Sequence, residues 1–135
     1  MQETNLDMTF HRAFDMARDM EKALKDIEQI GGFSAVLTSG QEKDAESGLQ
    51  NLKKLLTLAG EQLAIMPGGG IHSENLKQLD DELHAPAYHM SGKTAAASRM
   101  QYRNARVRMG EDSGSEYTVW RTDEAEIRRA KAILT

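Results

Sequence analysis

Cysteine is absent from the 135 residues of this chain. Its absence excludes disulfides, zinc and iron–sulfur sites built on cysteine, and thiol nucleophiles. The first residues, Met1 to Leu6, are polar and lack the basic and then apolar layout of a secretory signal. Because a chain without disulfides is also typical of reducing compartments, the sequence predicts a cytoplasmic protein.

Long apolar runs and an excess of positive charge are missing as well. No run approaches the roughly 20 apolar residues that a membrane-spanning helix needs. Acidic residues outnumber basic ones by 21 to 17, which gives a formal net charge of −4, whereas binding to nucleic-acid phosphates needs a basic stripe. We therefore expect neither nucleic acid nor a membrane as a partner. We interpret the arginines between Arg99 and Arg108 as serving local structure or an interface.

The remaining composition is that of a folded globular protein. Hydrophobic residues make up 39% of the chain and charged residues 28%, which is an ordinary balance for such proteins. The length is sufficient for one hydrophobic core. We therefore predict a single domain over residues 1–135.

A strand followed by a helix recurs along the chain. Apolar runs predict strands over 6–10, 33–38, 63–66 and 87–90, and helical periodicity predicts helices over 16–30, 44–59, 73–83 and from 122 or 123 onward. Asp123 and Glu126 resemble a capping box for the last helix, and the stretch 91–119 is polar with little periodicity. Closely spaced strands with intervening helices predict a parallel sheet. An open doubly wound sheet and a barrel both fit this pattern.

Short motifs at the predicted strand ends occur in a specific order. They are TFHRAFD at 9–15, LTSG at 37–40, IMPGGGI at 65–71 and YHMSG at 88–92, followed by MQYRN at 100–104 and EYTVWRTDE at 116–124. In this order they resemble the fifth to eighth strands and the tail of the CutC copper-homeostasis family. One glycine-rich loop would be weak evidence, whereas ordered motifs over nearly the whole chain are specific.

The resemblance implies an α/β fold of the (β/α)-barrel, or TIM-like, type. This chain would supply only the C-terminal four β/α units, because a full barrel takes roughly 250 residues. The N-terminal half would then be missing, through truncation or as a natural fragment, or would be supplied elsewhere. The simplest expectation is a homo-oligomer, in which a second copy completes an eight-strand barrel and covers the open sheet edges.

Candidate catalytic residues follow the first predicted strand, since functional groups of such barrels lie at the carboxyl ends of the strands. His11, Arg12 and Asp15 combine a group that titrates near neutrality with a fixed cation and a carboxylate. They are candidates for acid–base chemistry and for gripping a carboxylate or phosphate. The alternative is that Arg12 and Asp15 form an ion pair that fixes the loop, with His11 packed inside the barrel.

Candidate groups for binding a small anion follow the later strands. They are Thr38, Ser39, Gly68, Gly69, Gly70 and Ser91. Glycine lets backbone N–H groups approach an anion, and the loops after strands seven and eight are the usual phosphate site of TIM barrels. The alternative is a tight turn that requires positive φ. A nucleotide-binding P-loop is not predicted before Lys93, because Ala87 stands where that motif needs glycine.

Copper is the metal that the resemblance implies. Cu(I) favours thiolate and thioether ligands, with imidazole also suitable, and this chain has eight methionines and four histidines but no cysteine. His11 and His89, across the barrel mouth, are the candidate metal ligands. His72 and His84 are expected to be exposed. The methionines at 16, 20, 66 and 90 are predicted to belong to the core.

Three functions remain open from the sequence. The resemblance implies copper homeostasis of the CutC type, with or without direct copper binding. The residues themselves also fit a TIM-barrel enzyme that acts on a small anionic or phosphorylated metabolite. The third hypothesis is that the chain is an inert fragment, whose functional site depends on the missing half of the barrel. Copper handling needs converging soft ligands, whereas the enzyme needs an anion pocket beside a titrating group.

Overall fold

A computed structural model describes residues 6–104, 106–107 and 116–135 of the chain. Three parallel strands form one sheet in the order β1, β2, β3, and two antiparallel strands, β4 and β5, form a separate ribbon. The strands are β1 (Met8–Phe10), β2 (Phe33–Thr38), β3 (Ala64–Pro67), β4 (Lys93–Ala97) and β5 (Thr118–Thr122). The helices are a 3₁₀ helix (Arg12–Met16), α1 (Met20–Ile30), α2 (Leu49–Leu58), α3 (Ser73–Leu83) and α4 (Glu124–Leu134). The fold is therefore mixed α/β.

The core lies on one face of the three-stranded sheet. Val36 of β2 pairs with Ile65 of β3, and both side chains are buried in one cluster with Leu24 of α1, Leu52 of α2 and Leu76 of α3. Each such side chain, fully buried, contributes about 1.5–3 kcal/mol relative to an exposed one. The helices and the sheet therefore hold each other in place, and the sheet fixes the positions of the loops at its carboxyl edge.

The other face of the sheet lies outside this cluster. Ala35 and Leu37 of β2 alternate with Val36, and Ala64 and Met66 of β3 alternate with Ile65, so these four side chains point away from the helices. None of the four belongs to the core cluster of the described residues. In a closed barrel this face would be the interior.

Two predicted helices begin later than their periodicity indicates. The first was expected from residue 16, but α1 starts at Met20 because the Asp19 side chain accepts a hydrogen bond from the Lys22 N–H at 3.0 Å and caps it. Met16, predicted as a core residue, is 86% exposed, whereas Met20 is buried as predicted. The second was expected from residue 44, but 44–48 form turns, and α2 starts at Leu49.

The predicted fourth strand at 87–90 is wrong. A single parallel bridge joins His89 to Gly68, and no strand forms there. The Tyr88 hydroxyl donates to Asp80 at 2.9 Å and accepts from the Ala85 N–H at 3.1 Å, which ties this segment to the end of α3, while the His89 N–H donates to the Pro67 carbonyl of β3 at 2.8 Å. Of the four predicted β/α units, the structure therefore shows three parallel strands.

The stretch 91–119 contains strand structure that its composition did not indicate. Strand β4 and the start of β5 lie within it, and their side chains are mostly exposed. Alanines at 95, 96 and 97 give no β-propensity signal, and an exposed ribbon needs no apolar alternation. Within the described residues, no helix has the length and apolar character needed to cross a membrane.

Candidate functional site

The carboxyl edge of the sheet brings the predicted site residues near one another. The 3₁₀ helix follows β1, the Thr38–Gly40 turn follows β2, and the Gly68–Gly70 loop follows β3. Because parallel strands end at one edge, residues far apart in sequence meet there. A backbone bond from the Gly68 N–H to the Thr38 carbonyl, 2.9 Å long, joins two of these loops directly.

Asp15 is the centre of a hydrogen-bond network at this edge. Its side chain is 8% exposed. It accepts hydrogen bonds from the Thr38 hydroxyl at 2.5 Å, from Arg12 Nε at 2.6 Å, from the Ser39 hydroxyl at 3.0 Å, and from the backbone N–H groups of Ser39 and Gln41. Burial acts to raise the pKa of Asp15, but these hydrogen bonds outweigh it and hold the pKa below its usual 3.8.

Thr38 and Ser39 are fully buried and serve this network. Both have no exposed surface. The Ser39 hydroxyl also lies 2.5 Å from the Glu42 carbonyl, and the Thr38 hydroxyl accepts from the Gly40 N–H at 2.9 Å. Their role as anion ligands, predicted from the sequence, stays a prediction, and the structure places their hydroxyls against the Asp15 carboxylate.

Arg12 links the network to a cavity. Its Nε binds Asp15, and its Nη2 donates to the Ser39 hydroxyl at 2.6 Å and to the Glu42 carbonyl at 3.2 Å. The expected ion pair with Asp15 is therefore present. The other terminal nitrogen, Nη1, lies against Gly69, where a Cβ atom would come within 2.9 Å of it. With 40% of its side chain exposed, Arg12 presents a guanidinium that is fixed in direction yet open to solvent.

The cavity at this point has a volume of about 210 Å³. Its walls include Arg12, Gly69, Gly70, His89 and Ser91. Gly69 and Gly70 adopt φ of +101° and +70°, so this loop has the positive φ that favours glycine. A fixed guanidinium beside glycine backbone can bind a carboxylate or a phosphate.

Gly68 has a different role from the two glycines after it. It is buried, and a Cβ atom there would come within 2.5 Å of Leu37 Cδ1 and 3.2 Å of His89 Cβ. The close approach of β3 to its neighbours therefore requires glycine at this position. Its predicted contact with an anion stays a prediction.

The two candidate metal ligands occupy different surroundings. His11 is exposed rather than packed in a barrel, and its Nδ1 accepts the Ala13 N–H at 3.0 Å, which leaves Nε2 for a ligand. His89 is exposed and lines the 210 Å³ cavity, whereas His11 does not. Across the described residues, no three His, Asp or Glu side chains converge in a way that could hold a metal ion.

A second and larger cavity, of about 560 Å³, was not expected from the sequence. It lies between the start of α3, the start of α4 and the ribbon, and its walls include Ser73, Lys93, Trp120, Glu126 and Arg129. The sequence pattern predicted the two helices but not that their starts would meet the ribbon around a cavity. The contact between the ribbon and two helix starts is a tertiary arrangement that spacing alone does not encode.

Glu126 joins two helices at the floor of this larger cavity. Its carboxylate accepts the Ser73 N–H at 2.6 Å, the Ser73 hydroxyl at 2.7 Å and Arg129 Nη2 at 2.9 Å. The hydrogen bond from the Ser73 backbone, followed by that from its hydroxyl, lowers the pKa of Glu126 from 4.5 to about 2. The predicted capping box with Asp123 is wrong, because Asp123 alone caps α4 through the Ala125 N–H at 2.9 Å.

Comparisons with known proteins place this arrangement in a family. The chain is 40% identical over 129 residues to the copper homeostasis protein cutC homolog of Homo sapiens, covering 95% of this chain and 47% of that protein. It is 40% identical over 126 residues to a family protein CutC of Pasteurella multocida, covering 93% of this chain and 51% of that protein. The chain thus spans about half the length of these relatives.

A solved structure is also similar. The crystal structure of a CutC protein from Streptococcus agalactiae matches with a TM-score of 0.57 and 27% sequence identity, over 63% of this chain and 42% of that one. The family model described as the CutC family matches residues 1–94. This range includes the three parallel strands, the Gly68–Gly70 loop, His11 and His89. The chain therefore belongs to the CutC family.

Proposed function

We propose that this chain serves copper homeostasis as a CutC protein. The observation that carries the proposal is the 40% identity, over 95% of the chain, to a human protein named for copper homeostasis. Residues of the family motifs at β1, β2 and β3 also line one cavity at the carboxyl edge of the sheet, namely Arg12, Leu37, Gly69 and Gly70. The role belongs to proteins about twice as long, so it comes to this chain as a proposal.

Direct copper binding has one candidate site, His11 with His89. Two imidazoles suit copper, but the thiolates that Cu(I) prefers are absent from the sequence. His11 offers its Nε2, and His89 lies at the mouth of the cavity. Met16 and Met100, 86% and 58% exposed, are thioethers that solvent reaches.

An anaerobic Cu(I) competition titration tests direct copper binding. The chain is titrated beside a variant that carries His11→Ala and His89→Ala, with His84→Ala as the matched control because His84 is exposed and lies at the end of α3. A site at the mouth gives one tightly bound Cu(I) per chain that the double variant loses and the control keeps. Absence of tight binding by the unmodified chain would remove it as a copper carrier.

A second function has its own support in Arg12. This guanidinium is held by Asp15 and Ser39 and lies against Gly69, at the wall of the 210 Å³ cavity. We propose that the cavity binds a small anionic ligand, a carboxylate or a phosphate, and that an enzyme acting on such a metabolite is the alternative function. The exposed imidazole of His89 lines the same cavity.

A titration with inorganic phosphate, followed by ¹⁵N NMR, tests this anion site. We expect saturable shifts at the amides of Gly69 and Gly70. Arg12→Lys keeps the charge but loses the planar fork, and should weaken binding by about tenfold. Arg18→Lys, on an exposed residue of the same segment, should bind as the unmodified chain does. Equal affinity in all three proteins would contradict the role of Arg12.

We also propose that a second copy of the chain completes the barrel. The strand order β1, β2, β3 follows the sequence, as in a barrel. The face of the sheet with Leu37 and Met66 lies outside the core, and β1 at the sheet edge is exposed at Met8. A second half barrel would cover this face and pair with the open edges. The single domain over 1–135 and the cytoplasmic location remain predictions of the sequence.

A further inference from the structure

The larger cavity has the size and walls of a binding site in its own right. Its volume of about 560 Å³ falls within the range that small-molecule sites occupy. It is built by three separate parts of the chain: the loop into α3, the segment 90–94, and the ribbon with the start of α4. The chemistry of each wall limits what could bind there.

One wall is an aromatic ring. Trp120 of β5 lines the cavity and is 61% exposed, which is unusual for the largest apolar side chain of a protein. The Lys93 ammonium lies 4.8 Å from the centroid of this ring. Because the ammonium lies over one face of the indole, a flat, unsaturated group would stack on the other face.

At a second wall, the start of α3 is already occupied by a carboxylate. The first N–H group of α3, that of Ser73, already donates to the Glu126 carboxylate, and Arg129 pairs with the same carboxylate. Glu126 thus occupies the place where a phosphate would meet the start of this helix. Because the start of α3 is taken, we place the negative charge of a ligand elsewhere.

The smaller cavity supplies that place. Gly70, Ile71, Met90 and Ser91 line both cavities, so the two spaces adjoin. The Arg12 guanidinium lines the smaller cavity, beside Gly69. Trp120 lines the larger one, so each of the two adjoining cavities contributes one of these groups.

We infer that the two adjoining cavities act as one groove that binds a small metabolite carrying an anionic group and a flat unsaturated ring, the anion at Arg12 and the ring on Trp120. The inference rests on the anion site proposed above and adds the ring-binding half. It assigns to the ribbon, which lies largely beyond the family match at residues 1–94, the role of selecting the ligand.

Phenyl phosphate and inorganic phosphate are the probes for this inference, because they differ only in the ring. Affinities for both are measured by ¹⁵N NMR titration of the 135-residue chain. We expect phenyl phosphate to bind about tenfold more tightly, in line with stacking on an aromatic side chain. Trp120 is the only tryptophan in the sequence, so saturable quenching of its fluorescence by phenyl phosphate reports the ring position directly.

Two variants test whether phenyl phosphate gains affinity by stacking on Trp120 or by contact with any exposed aromatic side chain. Trp120→Leu should reduce the affinity for phenyl phosphate to that for inorganic phosphate and leave the latter unchanged. Tyr102→Leu is the matched control, since Tyr102 is 72% exposed and does not line the cavity; it should change neither affinity. Circular dichroism verifies that both variants fold.

The outcomes distinguish the two proposals. If inorganic phosphate binds at Gly69 and Gly70 but phenyl phosphate binds no more tightly, or keeps its advantage in Trp120→Leu, the ring-binding inference is overturned and the anion site stands. If neither probe binds, the anion site and the inference both fall. Tight binding of phenyl phosphate that Arg12→Lys does not weaken overturns the two-ended arrangement.

Discussion

At the scale of single residues, Asp15 does most to organise the site. One carboxylate holds Arg12 from its own loop together with Thr38, Ser39 and Gln41 from the turn after β2. The sequence offered the ion pair of Arg12 and Asp15 as the alternative to a catalytic role, and the structure contains it. It did not predict that both hydroxyls would serve the same carboxylate, because the pairing of β1 with β2 brings them together across more than 20 residues.

Replacing this carboxylate should destabilise the fold. Asp15→Asn places an amide among donors that need an acceptor, so several buried donors lose their partner. We expect the free energy of unfolding in urea to fall by about 3 kcal/mol. Asp26→Asn removes a carboxylate that is half exposed and pairs with Lys22, and should change stability by less than about 1 kcal/mol. Equal effects of the two substitutions would contradict the central place of Asp15.

At the scale of elements, Glu126 makes α3 and α4 depend on each other. Its carboxylate binds Ser73 at the start of α3 from the first turn of α4. The pKa of Glu126 is lowered to about 2 in the folded protein, so the folded state favours the charged form. The stabilisation is complete above the unfolded pKa near 4.5 and is lost as the pH falls from there toward 2.

Thermal unfolding between pH 6 and pH 2 measures this dependence. The melting temperature of the unmodified chain should fall below pH about 4.5. Glu126→Gln should begin with a lower melting temperature at pH 6 and show a shallower fall, the remainder coming from groups such as Asp15. Glu124→Gln, at a 78% exposed side chain of the same helix turn, should follow the unmodified curve. A fall of the same steepness in Glu126→Gln would contradict this assignment.

The elements also show what periodicity can and cannot predict. Strand β2 and helix α3 lie where the pattern places them, because their apolar faces are buried and therefore visible in the sequence. The starts of α1 and α2 differ, since a cap at Asp19 and a set of turns at 44–48 decide them. The ribbon was missed because an exposed strand, as at Ala95 to Ala97, has no hydrophobic alternation.

At the scale of the whole molecule, one face of the sheet needs an explanation. It is the face that points away from the helices, which we call the unfilled face. Leu37 and Met66 point away from the helices and lie outside the core cluster. The relatives are about twice as long as this chain, so in them further residues are available to cover such a face. For this chain, we propose that a second copy covers it.

Sedimentation equilibrium of the 135-residue chain tests whether a second copy completes the barrel. The mass per chain is 15.0 kDa. We predict a dimer at micromolar concentration, with twice that mass. Leu37→Asp, on the unfilled face, should shift the protein toward the monomer, whereas Leu58→Asp, on a 43% exposed residue of α2, should not. A stable monomer at micromolar concentration, folded by circular dichroism, would contradict the half-barrel account.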